Sequence, residues 1–461
     1  MSAPKVIAGF TLGPVVHRGG MAVLREVTHP EHPGPLLMKM PKLAEGEDPA
    51  AIVSFEMEQM ILPRLTGPHV PKCYGTGHEP TPWIVMERIH GGSLLPYLKR
   101  LPRDPAEVAH IGAMTADALD GLHRQGVVHL DIKPSNILRR GGEDGPVVLV
   151  DFGLSRAAML PDLMEEEFRL PYGTAPYMAP EQAMGIRGDP ASDLFALGVL
   201  MYFFLTGRRP FGDPQRMSDL KRRLWWDPPP PRALVPDCPP WLQEVILRCL
   251  EPSPEKRHAS AAQLAFDLRN PGAVALGPRA ERLRRDSWTR RLQRRFHPEF
   301  QPQLRRKAAA LPQRDAPIVA VALDLEAMSP AMSSALLDMV GRVLAIRPNA
   351  RVACLNVLRT NLLRPDSTLD REGRNKHLQR LLELRHWSAP LALPEYRLTH
   401  HVLEAVTEGG AILEYASQNR VDHLILGAKT AGITQRMLGS IAGEVARDAP
   451  CTVTIVRVRE F

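Results

Sequence analysis

Eight consecutive residues, His129-Leu130-Asp131-Ile132-Lys133-Pro134-Ser135-Asn136, and an acidic turn further on, Asp151-Phe152-Gly153, hold the groups that phosphoryl transfer requires. Such a reaction asks little covalent chemistry of a protein. It needs an oriented hydroxyl, ligands for Mg²⁺ and cations around the developing charge. Asp131 offers a carboxylate that accepts or orients the hydroxyl proton. Lys133, two residues on, offers a cation for the γ-phosphate. Asn136 and Asp151 are hard oxygen ligands of the kind Mg²⁺ takes. Between them the apolar run Val147-Val148-Leu149-Val150 reads as a strand that delivers Asp151 to the loop.

These two motifs, in this order and at this spacing, resemble the catalytic loop and the Asp-Phe-Gly turn of eukaryotic-like protein kinases. The landmarks expected of that family follow one another along residues 8–270. Gly19-Gly20-Met21 lies between Val15-Val16 and Val23-Leu24, and resembles the glycine-rich loop whose backbone N–H groups approach phosphates. Leu36-Leu37-Met38-Lys39 resembles the strand with the phosphate-anchoring lysine, which is then Lys39. The helical stretch at Phe55-Glu56-Met57-Glu58 carries Glu58 where the resemblance implies a partner for that lysine; Glu56 is the second candidate. Trp83-Ile84-Val85-Met86-Glu87-Arg88-Ile89 resembles the strand into the hinge. Met86 is then the gatekeeper, and the backbones of Glu87 and Ile89 bond adenine. Gly173-Thr174-Ala175-Pro176-Tyr177-Met178-Ala179-Pro180-Glu181 resembles the substrate loop and its closing motif. Asp193, Gly198 and Arg257 fit the groups that anchor the catalytic loop and Glu181. The region is identified as a Hanks-type kinase of the bacterial sort. Lys133 and Thr174 favour Ser/Thr over Tyr as acceptor. The resemblance implies a bilobal α+β fold, ATP and Mg²⁺ as cofactors, and protein substrates.

Four departures bear on activity. His17 stands where the family has its first loop glycine. Leu24 and Leu37 replace smaller residues expected to line the adenine, and extra methylenes narrow a slot. Leu130 replaces the arginine that receives an activation-segment phosphate. Between Asp151 and Gly173 the only hydroxyls are Ser155 and Tyr172, beside an acidic run Glu165-Glu166-Glu167. The expectation is a kinase independent of activation-loop phosphorylation, with the acidic run a solvated face. The alternative is a pseudokinase scaffold that binds nucleotide or partners without transfer.

Residues 271–315 form a basic linker. Arg279 to Arg314 carries a local balance of +9 in a chain of formal charge +7, so the excess charge belongs to this segment. Trp288, Leu292 and Phe296 recur at helical spacing. A stripe of this kind docks on a neighbouring domain or, with its arginines, on an anionic surface. No base-reading motif accompanies it.

From residue 316 to 461 strand-like runs alternate with helical ones: Ile318–Leu323, Ser334–Leu344, Val352–Leu358, Leu378–Arg385, His400–Asn419 as a helix, Asp422–Gly427 and Cys451–Val458. Alternation of this kind implies a parallel α/β sheet. Gly427, Gly439-Ser440 and the closing strand resemble the universal stress protein family, whose ATP-binding members cradle phosphates in a glycine run. Here Thr430 stands at the middle glycine's spacing and Gly432 is displaced; Asp324 matches the first-strand aspartate. The resemblance implies a stress-sensing or dimerising module, with the terminal strand as a homodimer edge.

Length and composition agree with several domains of a globular chain: 461 residues, 44% hydrophobic, 24% charged. No apolar run reaches the roughly 18–20 residues of a membrane span. The N-terminus lacks the tracts of a signal peptide. The five cysteines show no metal or disulfide spacing, as in a cytoplasmic protein with reduced thiols.

Overall fold

The computed structural model describes residues 5–43, 48–142, 145–168, 172–284, 289, 316–360, 368–370, 372–428 and 440–458. Its first layer is a six-stranded antiparallel sheet: β1 (Val6–Ile7), β2 (Phe10–Arg18), β3 (Ala22–His29), β4 (His32–Pro41), β5 (Cys73–Gly77) and β6 (Trp83–Glu87), in the order β1-β2-β3-β4-β6-β5. Side chains alternate between the two faces of a strand. Leu36, Met38, Trp83 and Val85 therefore share a small core with Phe10 and Val27. The opposite face carries Leu37 and Lys39 of β4. They sit across from Met86 and Ile84 of β6, with Leu24 of β3 opposite Lys39. This second face looks onto helix α1 (Pro49–Ile61) and the cleft. Asp48 caps α1 by accepting the Ala50 N–H at 2.9 Å, and Pro49 opens its first turn.

The larger lobe is helical. Helices α2 (Pro105–His123), α4 (Ala191–Thr206), α6 (Pro240–Cys249) and α7 (Ala261–Arg269) share one core with α1. A short helix α3 (Leu163–Glu167) lies between α2 and α4 in the chain and another, α5 (Met217–Leu220), between α4 and α6. Two short strand pairs belong to the same lobe, β7 (Val127–Val128) with β10 (Arg156–Ala157) and β8 (Ile137–Arg139) with β9 (Val147–Leu149). The apolar run at Leu194–Leu205 lies in α4, where all but one of those residues are buried. A Cβ at Gly198 would meet the Cys249 Cβ at 2.5 Å, so only glycine allows α4 and α6 to approach this closely. Glu181 and Arg257 form a fully buried, two-pronged ion pair at 2.6 and 2.8 Å. Ser192 donates to Glu181 at 2.7 Å, so the carboxylate has a third partner.

The basic linker begins on this lobe. Arg279 binds Glu244 and Glu251, both at 2.8 Å, and Arg282 binds Asp227 at 2.9 Å. Gln243 donates to the carbonyls of Arg279 and Arg282. These two arginines are therefore engaged by the protein itself rather than held out toward an anionic surface. The stripe of Trp288, Leu292 and Phe296 lies outside the described residues.

The C-terminal part is a five-stranded parallel sheet of β11 (Ile318–Ala322), β12 (Arg351–Arg359), β13 (Leu398–Ala405), β14 (His423–Gly427) and β15 (Thr452–Val456), in the order β13-β12-β11-β14-β15. Helices α8 (Pro330–Ile346) and α9 (Lys376–Ser388) cover one face, packing on Val319, Val321, Val352 and Cys354. Helices α10 (Glu408–Gln418) and α11 (Ser440–Asp448) cover the other, on Ile318, Ala320, Ala353 and Leu355. Burial on both faces explains the continuous apolar strands. One element differs from expectation. Residues 400–405 belong to β13, and helix α10 starts at Glu408. Thr399 to Val402 is buried and pairs with β12 in register, so tertiary pairing outweighs the helical pattern read across 400–419.

Arg257→Ala leaves Glu181 as a buried, unpaired charge. It is expected to destabilise the larger lobe by about 3–5 kcal/mol, read from denaturant unfolding. A loss below about 0.5 kcal/mol would show that the pair contributes little.

Candidate active site

The catalytic-loop residues are held from beneath by one carboxylate. Asp193, in the first turn of α4, is fully buried. It accepts the backbone N–H groups of His129 and Leu130, each at 2.8 Å, and lies 2.8 Å from His123 Nε2. These bonds hold Leu130 at φ 65°, a left-handed conformation that costs a residue with a Cβ on the order of 1–3 kcal/mol. The Leu130 side chain is buried, and its carbonyl accepts from Gln182 at 3.0 Å. Leu130 is thus a packed residue in place of a surface cation.

The loop then presents Asp131. Its carboxylate accepts from Lys133 Nζ at 2.6 Å, Asn136 Nδ2 at 3.1 Å, and Thr174 Oγ1 and N–H at 2.7 and 3.1 Å. Lys133 also donates to Thr174 Oγ1 at 3.0 Å. The sequence reading tied Thr174 to acceptor choice; the structure adds a direct bond to Asp131. Asn136 is buried, with Oδ1 accepting from Ser135 at 3.0 Å.

Across the cleft, Lys39 is wedged between two carboxylates. It forms a close ion pair with Glu58 of α1 and lies 2.9 Å from Asp151. Burial alone would lower the Lys39 pKa, but Asp151 and Glu58 outweigh it and hold the ammonium protonated. Lys39 in turn keeps Asp151 below the usual carboxylate range. Burial pushes Glu58 upward. Asp151 sits at φ 70°, another left-handed residue, and its side chain is 45% accessible, open to the cleft. The alternatives Glu58 and Glu56 are separated clearly: Glu56 turns away and pairs with Arg385 of the C-terminal part.

Leu24, Leu37 and Met86 lie on the Lys39 face of the sheet, where the sequence reading placed the adenine. Leu24 and Leu37 are only half-buried. At the hinge the Glu87 N–H donates to the Lys72 carbonyl at 2.8 Å, so it is engaged within the protein. The Glu87 side chain forms an ion pair with Arg140. Ile89 follows β6 and is half-buried. Gly19 and Gly20 form the turn between β2 and β3. The Gly19 N–H closes that turn on the Ala22 carbonyl at 2.9 Å, while the space beside Gly20 is open. The residues of the two loops and Lys39 with Glu58 thus converge, and the glycine turn stands apart from them among the described contacts.

The donor set fits one divalent ion of the Mg²⁺ type. Asn136 and Asp151 supply oxygen, and such an ion is commonly held by one or two protein oxygens, water and substrate phosphates. Among the described residues no cluster of three or more His, Cys, Asp or Glu offers a self-sufficient metal cage. In the C-terminal part, Gly427 ends β14 and Ser440 opens α11, but Thr430, Gly432 and Gly439 lie outside the described residues. Asp324 is exposed after β11.

The model of the protein kinase domain family matches residues 11–267, more than half of the chain, and the chain therefore belongs to the protein kinase family. The model of the universal stress protein family matches residues 317–457. A probable serine/threonine-protein kinase of Streptomyces coelicolor is 31% identical over 278 residues, covering 58% of this chain and 41% of its own. Serine/threonine-protein kinase PknL of Mycobacterium tuberculosis is 34% identical over 236 residues, covering 51% and 58%. Pkn1 of Myxococcus xanthus is 39% identical over 199 residues, covering 43% and 28%. The chain spans about half the length of the curated relatives it matches. The crystal structure of the PknI kinase domain of Mycobacterium tuberculosis aligns with a TM-score of 0.46 at 25% identity, over 59% of this chain and 99% of that one. No helix among the described residues is long and apolar enough to cross a membrane.

Asp193→Ala removes the acceptor of two buried N–H groups. It is expected to speed amide exchange at His129 and Leu130 by an amount equivalent to about 2 kcal/mol. Unchanged protection of both amides would contradict the anchoring role.

Proposed function

We propose that this protein is an ATP- and Mg²⁺-dependent Ser/Thr protein kinase that works without activation-loop phosphorylation. The observation that carries the reading is the Asp131 carboxylate, held by Lys133, Asn136 and Thr174 while Lys39, Glu58 and Asp151 stand assembled across the cleft. Lys39 binds the nucleotide phosphates, Asn136 and Asp151 hold Mg²⁺, and Mg²⁺ supplies charge neutralisation at the phosphates. Asp131 orients the substrate hydroxyl and takes its proton, and Lys133 draws on the γ-phosphate. The Glu87 carbonyl and the Ile89 backbone bond adenine beside Leu24, Leu37 and Met86. The Gly19–Gly20 turn covers the phosphates.

Independence from phosphorylation is supported by Ser155. It is the one Ser or Thr between Asp151 and Gly173, it is fully buried, and its Oγ donates to the His129 carbonyl at 3.0 Å. A kinase cannot reach it in this fold. The universal stress protein domain acts as a sensing or dimerising module in this reading. Strand β15 lies at the rim of its sheet, where a second copy can pair. The scaffold reading draws support from Leu24 and Leu37 on the nucleotide face.

The test is incubation of the protein with Mg²⁺ and γ-labelled ATP. Wild type is expected to label Ser or Thr, and Asp131→Asn to lose at least about 100-fold in rate while retaining nucleotide. Nucleotide bound without transfer by wild type, on itself or on added protein substrates, favours the scaffold.

A further inference from the structure

Of the acidic run of the activation segment, Glu165 faces solvent as expected, but its two neighbours do not. Glu166 and Glu167 lie on α3 and are buried against the stress protein domain. Arg351, at the start of β12, meets Glu166 at 2.9 Å. His401, in β13, stands between the two carboxylates, with Nδ1 2.8 Å from Glu167 and Nε2 3.3 Å from Glu166. Tyr415 donates to Glu166 at 3.3 Å, and Asn419 donates to the Glu166 carbonyl at 3.2 Å. The same domain grips helix α1. Arg385 of α9 pairs with Glu56, one turn-face away from Glu58, and Ile52 of α1 is buried in the core formed by α8 and α9 with the sheet. Helices α1 and α3 also pack on each other, with the Leu163 N–H against Met57 Sδ at 3.4 Å.

We propose that Arg351, His401 and Arg385 of the stress protein domain are positioning residues for phosphoryl transfer: docked in cis, they hold the activation segment and helix α1 in the assembled state. The inference rests on the kinase reading above. Elsewhere in the family the order of this segment comes from a phosphate received by the arginine that Leu130 replaces. Here the negative charges are glutamates fixed by the sequence, and the cations come from the other domain. Charge balance agrees. Burial acts to lower the His401 pKa, but its hydrogen bonds to Glu166 and Glu167 outweigh this and raise it to about 9, so the ring is charged at neutral pH. Arg351 is raised likewise by Glu166 against the effect of burial. His401 and Arg351 therefore face Glu166 and Glu167 with their side chains out of water; burial pushes the Glu167 carboxyl up, against its bond to His401. The sign of the effect follows from what coexists with docking: Lys39 on Glu58, and Thr174 on Asp131. A domain biases an equilibrium only through contacts that differ between its states. Glu56 and Glu58 share one rigid helix, so withdrawing α1 from Lys39 would also pull Glu56 from Arg385.

The experiment compares steady-state phosphorylation of an added Ser/Thr peptide by full-length wild type, Arg385→Met, Arg351→Met and, from the kinase side, Glu56→Gln. It is run beside amide exchange over residues 50–61 and 163–167. Each variant is expected to lower kcat about 5–150-fold, to change the ATP KM less than threefold, and to speed exchange in both segments. Arg385→Met with Glu56→Gln together is expected to be no worse than either alone, because they remove one interaction. This cycle keeps the test valid if Arg351→Met fails to fold. Variants that match wild type within twofold in kcat, or that exceed it, overturn the proposal; the second result would make the domain a brake. A wild type that transfers no phosphate to any substrate overturns the kinase reading, and this inference with it.

Discussion

One ammonium, that of Lys39, joins the three parts from which the cleft is made. It projects from the sheet, pairs with Glu58 of α1 and reaches Asp151, which follows the short strand Val147–Leu149 of the larger lobe. Burying a charge is costly unless it is paired, and here each partner is itself placed by a separate element. The sheet supplies the direction through strand alternation, Asp48 and Pro49 start the helix at the right residue, and the left-handed backbone at Asp151 turns its carboxylate inward. Removing the Lys39 ammonium leaves Glu58 as a buried charge without its partner and takes the cation from beside Asp151. The cleft is therefore a cooperative arrangement rather than a set of independent residues.

Asp193 plays the matching part on the other side. Its carboxylate stabilises a strained Leu130 by taking two backbone N–H groups, and this places Asp131 one residue later. Here a buried acid imposes a backbone conformation that side-chain packing alone would not favour. Glu181 with Arg257 fixes the end of the activation segment by a buried ion pair, with Glu181 in ordinary helical backbone.

Much of this was legible in the sequence because it depends on residue type at fixed spacing. Asp131, Lys133 and Asn136 lie within one loop, so their proximity needs little tertiary information. The two-faced α/β pattern of the C-terminal part followed from its apolar strands. What escaped were the contacts between distant segments that the family resemblance does not imply. Glu165-Glu166-Glu167 reads as a solvated run, as Glu165 is, because local sequence cannot show that Arg351 and His401 lie against Glu166 and Glu167. Glu56 and Glu58 differ by two residues on one helix, and only the approach of Arg385 on one side and Lys39 on the other separates them. Residues 400–405 read as the start of a helix because the pairing of β13 with β12, some 46 residues earlier, carries no local signal. The polarity of Arg279 and Arg282 suggested an outward-facing surface, whereas Glu244, Glu251 and Asp227 engage them within the lobe.

The most direct measurement is a calorimetric titration of Mg²⁺ with ATP into the full-length protein and into Lys39→Met. The central claim is that the cleft around Lys39 is the phosphate site. It predicts Mg²⁺-dependent binding by wild type that weakens at least about tenfold, or 1.4 kcal/mol, in the variant, with the protein still folded. Equal affinity in both would place the nucleotide elsewhere in the chain and contradict the account.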